Sequence, residues 1–123
     1  MNVPRVKFSP RKMPVATVEP FLDAEEAWFW FVRCQVMRRE GVKFKTDGSA
    51  TTRPCEPDDL YRAVMDLKRN RQIGNDHIRV LTRYGLDDVP PDPRIREQER
   101  AFRLWDEALD QLTTILKKKG IVE

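Results

Sequence analysis

Residues 92–120 read DPRIREQERAFRLWDEALDQLTTILKKKG, and the spacing of their apolar side chains decides the class of fold. Phe102, Trp105, Leu109, Leu112 and Leu116 recur at alternating intervals of three and four, the repeat of one helix face and not the alternation of a strand. Ile115 broadens that seam. Asp92 is placed to cap the free N–H groups, Pro93 suits the first helical position, and Gly120 follows three lysines that complement the negative end of the rod. The pattern predicts a helix of about 26 residues, ~39 Å long. Its seam packs against another helix of the chain or, where a long rod overhangs a small domain, against a second copy.

Upstream, Leu86 to Asp92 contains Asp87, Asp88, Pro90 and Pro91, a connection in which the chain turns. Before it, Asn75 to Tyr84 is a short predicted helix, capped by Asn75 and stopped by Gly85, with Ile78 and Leu81 facing inward. Another helix starts at Pro57, where the missing N–H is harmless and Asp58 and Asp59 suit the positive end. Leu60, Ala63, Val64 and Leu67 form its inner face over about 13 residues. The first helix is predicted over Ala24–Glu40, with Asp23 as cap, Glu26 completing a capping box and Gly41 as the left-handed stop. Ala24, Ala27, Trp28, Phe31, Cys34 and Gln35 recur at helical spacing, with Phe29, Trp30, Val36 and Met37 widening the surface, so this helix is expected at the centre.

Residues 41–56 are rich in glycine, serine, threonine and proline and read as a long connection. Val42 and Phe44 alternate with lysines ahead of the turn dipeptide Asp47-Gly48, which leaves a brief hairpin as one option there. Pro4, Pro10, Pro14 and Pro20 interrupt regular structure at the start of the chain. The expectation is a mainly α protein: a compact four-helix domain over residues 23–123, preceded by an extended, proline-rich basic arm over residues 1–22.

A chain of 123 residues holds one sizeable core and not two. Its 40% hydrophobic and 35% charged residues are the composition of a folded domain. The longest apolar run, Ala27–Val32, is far short of the about 20 residues that span a bilayer. The basic N-terminus lacks an apolar stretch behind it, so no secretory signal is read and the cytoplasm is the expected location. Cys34 and Cys55 are then expected as reduced thiols. A single histidine and no closely spaced cysteine pair leave the ligand set of a structural zinc site unmet, and neither a metal nor another cofactor is expected.

No catalytic constellation stands out. His77 has Asp76 beside it but no serine or cysteine at a triad spacing, and it reads as a capping or surface imidazole near a helix start. Glu25-Glu26, Asp58-Asp59 and Asp87-Asp88 lie at helix starts or in turns, where acids serve capping. The glycines fit no phosphate loop. The sequence is therefore not read as an enzyme.

The charge distribution is more informative. Arg5, Lys7, Arg11 and Lys12 carry residues 1–14 with no acid among them, and residues 60–84 set Arg62, Lys68, Arg69, Arg71, Arg79 and Arg83 against Asp66 and Asp76. Two concentrated basic segments make a local field that attracts phosphates. The predicted second and third helices have the order and lengths of a helix-turn-helix, with a longer connection than usual. In that motif the second helix reads base edges while cations before it grip phosphates. Asn75, Asp76, Arg79, Thr82 and Arg83 are then the exposed candidates on that second helix, all but Asp76 taken as DNA contacts, and Lys68, Arg69 and Arg71 are the phosphate candidates. Arg79 and Asn75 have the chemistry for guanine and adenine edges.

The segment Ala63–Leu86, AVMDLKRNRQIGNDHIRVLTRYGL, resembles the promoter-reading helix pair of sigma factors and of phage-type late transcription regulators. The resemblance implies a helix pair that binds duplex DNA. After RYGL the chain departs from those families with DDVPPDPRIREQERAF, and no binding residue is carried over from them.

The leading expectation is a small DNA-binding accessory protein or transcription regulator using a helix-turn-helix-like segment over residues 57–85. The alternative is a protein-interaction module presenting the apolar face of the first or the last helix, with Phe102, Trp105, Leu109, Leu112 and Leu116 as the seam for a protein partner or a homodimer. Trp28 to Phe31 would serve as a base-stacking platform for RNA only if exposed beside cations; core packing is the expected use of that run.

Overall fold

A computed structural model describes residues 17–41 and 51–123. It has four α-helices: α1 (Ala24–Arg39), α2 (Pro57–Arg69), α3 (Asn75–Asp87) and α4 (Glu99–Lys118). Two short strands, β1 (Thr17–Val18) and β2 (Thr51–Thr52), pair in parallel. The mainly α, four-helix expectation holds. The Asp47-Gly48 hairpin and residues 1–16 of the arm lie outside the described residues.

The first helix begins as its sequence requires. The Asp23 carboxylate accepts from the Glu26 N–H at 2.9 Å, and the Glu26 carboxylate reaches back to the Leu22 N–H at 2.7 Å, so two otherwise orphaned donors are satisfied together. Gly41 closes the helix with φ +76°. In α2, Pro57 fills the first position and Asp59 accepts from the Glu56 N–H at 2.9 Å. The helix ends by folding back, with the Gln72 N–H donating to the Leu67 carbonyl at 2.9 Å and Arg71 held at φ +62°. That is a left-handed C-terminal turn carried by an arginine in place of glycine.

Helix α3 corrects two expectations. Gly74, not Asn75, is its N-cap residue, and the helix continues three residues past Tyr84, running through Gly85 to stop at Asp88 with φ +59°. Gly85 is buried, and a Cβ added there would lie 2.8 Å from Val32 Cγ2 and 2.9 Å from Trp28 Nε1. The glycine is a contact point between α1 and α3, which local sequence logic reads as a stop signal. The start of α4 is a third correction. Asp92 does not cap a helix at Pro93: its carboxylate is bonded to the Arg94 N–H at 2.9 Å and to the Arg94 guanidinium at 3.1 Å, while its own N–H donates to Gln98 at 2.8 Å. These bonds satisfy residues 92–95 as a turn, a single 3-10 turn follows at Arg96–Gln98, and the α-helix starts only at Glu99.

The core lies between α1 and α4, each of which touches all three other helices, so α1 shares the centre expected for it with α4, on which α3 chiefly packs. Trp28, Phe31, Leu60, Leu67, Leu81, Trp105, Leu112 and Leu116 are among its buried residues. Trp105 is central, with its ring 5.5 Å from Phe29 and 6.3 Å from Tyr84, and its indole N–H donating to Glu25 at 2.9 Å. The aromatic run of α1 therefore packs inward, with Trp28 and Phe31 buried and Phe29 and Trp30 partly covered.

The boundary drawn at residue 22 divides the packed unit. Phe21 is fully buried, its ring lies tilted 5.2 Å from that of Trp30, and it exchanges backbone hydrogen bonds of 2.9 Å with Ile121 and Glu123. Ile121 and Val122, which sequence reasoning left unassigned, are buried beside it. Arg53 fastens this corner, its guanidinium 4.3 Å above the Phe21 ring and 3.9 Å from Glu26.

Candidate nucleic-acid interface

All seven residues proposed for DNA contact, Lys68, Arg69, Arg71, Asn75, Arg79, Thr82 and Arg83, are exposed. Their placement divides them. Lys68, Arg71 and Asn75 surround one shallow cleft at the α2–α3 turn, over Ile73 and beside His77. From Asn75 the exposed side of α3 continues through Arg79 and Arg83 at four-residue steps, which keeps them on one face of a helix. Arg69 lies aside on α2, paired with Asp66 at 2.6 Å. Thr82 also lies apart, on the rim of a groove toward α1 and α2, whereas Arg79 and Arg83 border the groove between α3 and α4.

The start of α3 is fixed by His77. Its Nδ1 accepts from the Gly74 N–H at 3.0 Å, and its Nε2 lies 2.9 Å from Glu107 on α4. An acceptor Nδ1 requires the neutral ring to carry its proton on Nε2, which then donates to Glu107. This lone histidine is a cap and a tie between helices, as its position beside a helix start suggested.

One cation that sequence reasoning missed joins the stripe. Arg100 on α4 donates to Asp76 at 3.0 Å, and Arg79 donates to the other oxygen of the same carboxylate at 2.7 Å. The two guanidiniums hold the Asp76 carboxyl below the usual aspartate range, the Arg100 hydrogen bond contributing most. The separation of Asp76 from Arg100 in sequence carried no signal of this pairing. Among the described residues, no ion pair engages Lys68, Arg71 or Arg83.

The helix pair differs from a tight helix-turn-helix. Helices α2 and α3 each pack on α1 and α4 and meet one another only weakly. Between them and α1 runs a groove of ≈ 430 Å³ lined by Trp28, Phe31, Tyr61, Val64, Met65 and Ile78, with the Arg38–Asp58 ion pair of 3.7 Å at its edge. The seam proposed for a homodimer is not a free surface: Trp105, Leu109, Leu112 and Leu116 are buried in the chain's own core, and Phe102 is partly covered.

Among the described residues no helix is long and apolar enough to cross a membrane. The chain matches no family model, no curated protein and no solved structure.

Proposed function

We propose that the chain is a small duplex-DNA-binding accessory protein or transcription regulator whose contact face is the α2–α3 turn and the outward stripe of α3. The carrying observation is the line from Lys68 and Arg71 through Asn75 to Arg79 and Arg83, exposed along its length. Cations in such a line replace condensed counterions along a phosphate backbone, which makes binding strong at low salt and steeply weaker at high salt. Asn75 and Arg79 supply amide and guanidinium groups suited to base edges, while Lys68, Arg71 and Arg83 are the phosphate contacts. The reading rests on this stripe and not on the packing of α2 against α3. Fluorescence anisotropy with a labelled duplex tests it, with low-micromolar binding expected at about 50 mM salt and a large loss at about 200 mM. Absence of binding at the lower salt would end the proposal.

A second reading is favoured by the apolar groove. Tyr61 is 54% exposed on a surface shared with Trp28, Phe31 and Met65, chemistry suited to an amphipathic helix of a protein partner. Of the two apolar faces expected for this role, that of α1 borders this groove through Trp28 and Phe31, whereas Trp105, Leu109, Leu112 and Leu116 of α4 are buried in the core. Tyr61→Ala separates the readings, because it leaves duplex affinity unchanged if the α3 stripe is the contact face.

A further inference from the structure

The groove between α3 and α4 is bordered by three guanidiniums, Arg79, Arg83 and Arg100, and measures ≈ 550 Å³. Its acids are Asp76 and Glu97, and Val80, Ala101 and Leu104 form its apolar wall. Asp76 places one oxygen 2.7 Å from Arg79 and the other 3.0 Å from Arg100, so a single carboxylate bridges guanidiniums from two helices. An oxyanion held between arginines is also the geometry of phosphate recognition. The third guanidinium, Arg83, lies 5.6 Å from the Tyr84 ring on the same groove.

We propose that this groove is a phosphate-binding site in which Asp76 occupies the anion position until a backbone phosphate of duplex DNA displaces it. The proposal rests on the DNA-binding reading and extends the contact face from α3 onto α4 through Arg100. All of the groups involved are solvent-exposed in part: Arg79 and Arg100 are 75% and 68% exposed and Asp76 is 48% exposed. Exchange of one anion for another therefore requires no opening of the core. A backbone phosphodiester presents two anionic oxygens, as a carboxylate does, but it is not tethered to α3 and seats against all three arginines, whereas Asp76, fixed on α3, bonds two. The carboxylate thus keeps the arginines aligned in the free protein and opposes the incoming phosphate.

The test is anisotropy of the full chain with a labelled duplex at several salt concentrations, on four variants whose folding is checked by thermal melting. Arg100→Gln is compared with Lys118→Gln, which removes the same charge at the far end of α4. Asp76→Asn is compared with Asp110→Asn, the same charge change on an exposed α4 position. The expected results are an affinity loss of roughly fivefold for Arg100→Gln, with a salt slope shallower by about one, and a loss of less than about twofold for Lys118→Gln. Asp76→Asn is expected to tighten binding by about threefold, and by more than Asp110→Asn. Equal losses for Arg100→Gln and Lys118→Gln, in a protein that binds the duplex, overturn the groove site and leave the α3 stripe standing. Weaker binding by Asp76→Asn overturns the displacement step. A wild-type chain that ignores DNA overturns both readings together.

Discussion

The indole N–H of Trp28 on α1 donates to the Leu81 carbonyl on α3 at 2.8 Å, beside the point where Gly85 lets the two helices touch. Glycine inside a helix costs about 1 kcal/mol relative to alanine, so Gly85→Ala would stabilise an exposed helix. Here the opposite sign is expected, because the new methyl would meet Val32 at 2.8 Å and the Trp28 ring at 2.9 Å. Overpacking of this kind costs about 1–3 kcal/mol. Urea denaturation should show Gly85→Ala less stable than wild type; an unchanged or raised midpoint would show that the helices can separate at no cost.

At the other end of α3, His77 holds the Gly74 N–H at 3.0 Å and Glu107 at 2.9 Å. Loss of a capping acceptor costs about 1 kcal/mol, whereas an exposed pair contributes less. His77→Ala is therefore expected to destabilise the domain more than Glu107→Gln in the same denaturation experiment. Nitrogen NMR at neutral pH should find the neutral ring protonated on Nε2; protonation on Nδ1 would contradict the cap.

Arg71 combines an unfavourable backbone with a proposed role. A left-handed conformation costs an ordinary residue about 1–2 kcal/mol, and Arg71 adopts it at φ +62°. Part of that cost is offset by the larger chain entropy of an unfolded glycine. Arg71→Gly should raise the melting temperature, by up to about 1 kcal/mol of stability, and lower duplex affinity. A variant both more stable and equally tight in binding would remove Arg71 from the contact face.

The thiols set the alkaline behaviour. Burial, with Asp59 and Glu56 nearby, pushes the Cys55 thiol up to about 11, and burial raises that of Cys34 against the pull of Arg33 and Arg38. Both remain protonated and slow to alkylate at neutral pH. A folded-state pKa above the unfolded value favours folding fully below the unfolded pKa and loses that contribution as pH rises through the folded value. Stability should thus fall between about pH 9 and pH 11, and iodoacetamide labelling of Cys55 should accelerate only over that range. At the acid end, Asp76 and Asp92 are held low by Arg100 and Arg79 and by Arg94, so their contribution is present above the ordinary aspartate range and lost below it. Rapid labelling at neutral pH would show that the Cys55 environment is open.

Local chemistry made most of the fold legible. Asp23, Gly41 and Pro57 each mark a helix boundary through a bond or torsion confined to neighbouring residues, and all three stand where they were read. At Gly85 and Asp92 the local signals of a helix stop and a helix cap serve other ends: close approach to Val32 in one case, a turn with Arg94 in the other. Ile121 and Val122 follow a helix stop and are too few to show a period, so their burial against Phe21 had no local signature. Within the candidate site the α3 stripe was legible from helical spacing. Its division was not, since the turning of Thr82 toward α1 and of Arg79 toward Arg100 depends on which helices lie on either side.

The central claim is that the turn and outward stripe of α3 form the nucleic-acid face. It is tested most directly by the slope of log association constant against log salt for a labelled duplex, wild type against Arg71→Gln/Arg83→Gln. Each phosphate contact contributes about −0.9 to that slope, so the double variant should bind more weakly with a slope shallower by about two. A double variant with wild-type affinity and slope, or a wild-type chain that fails to bind at about 50 mM salt, would contradict the account.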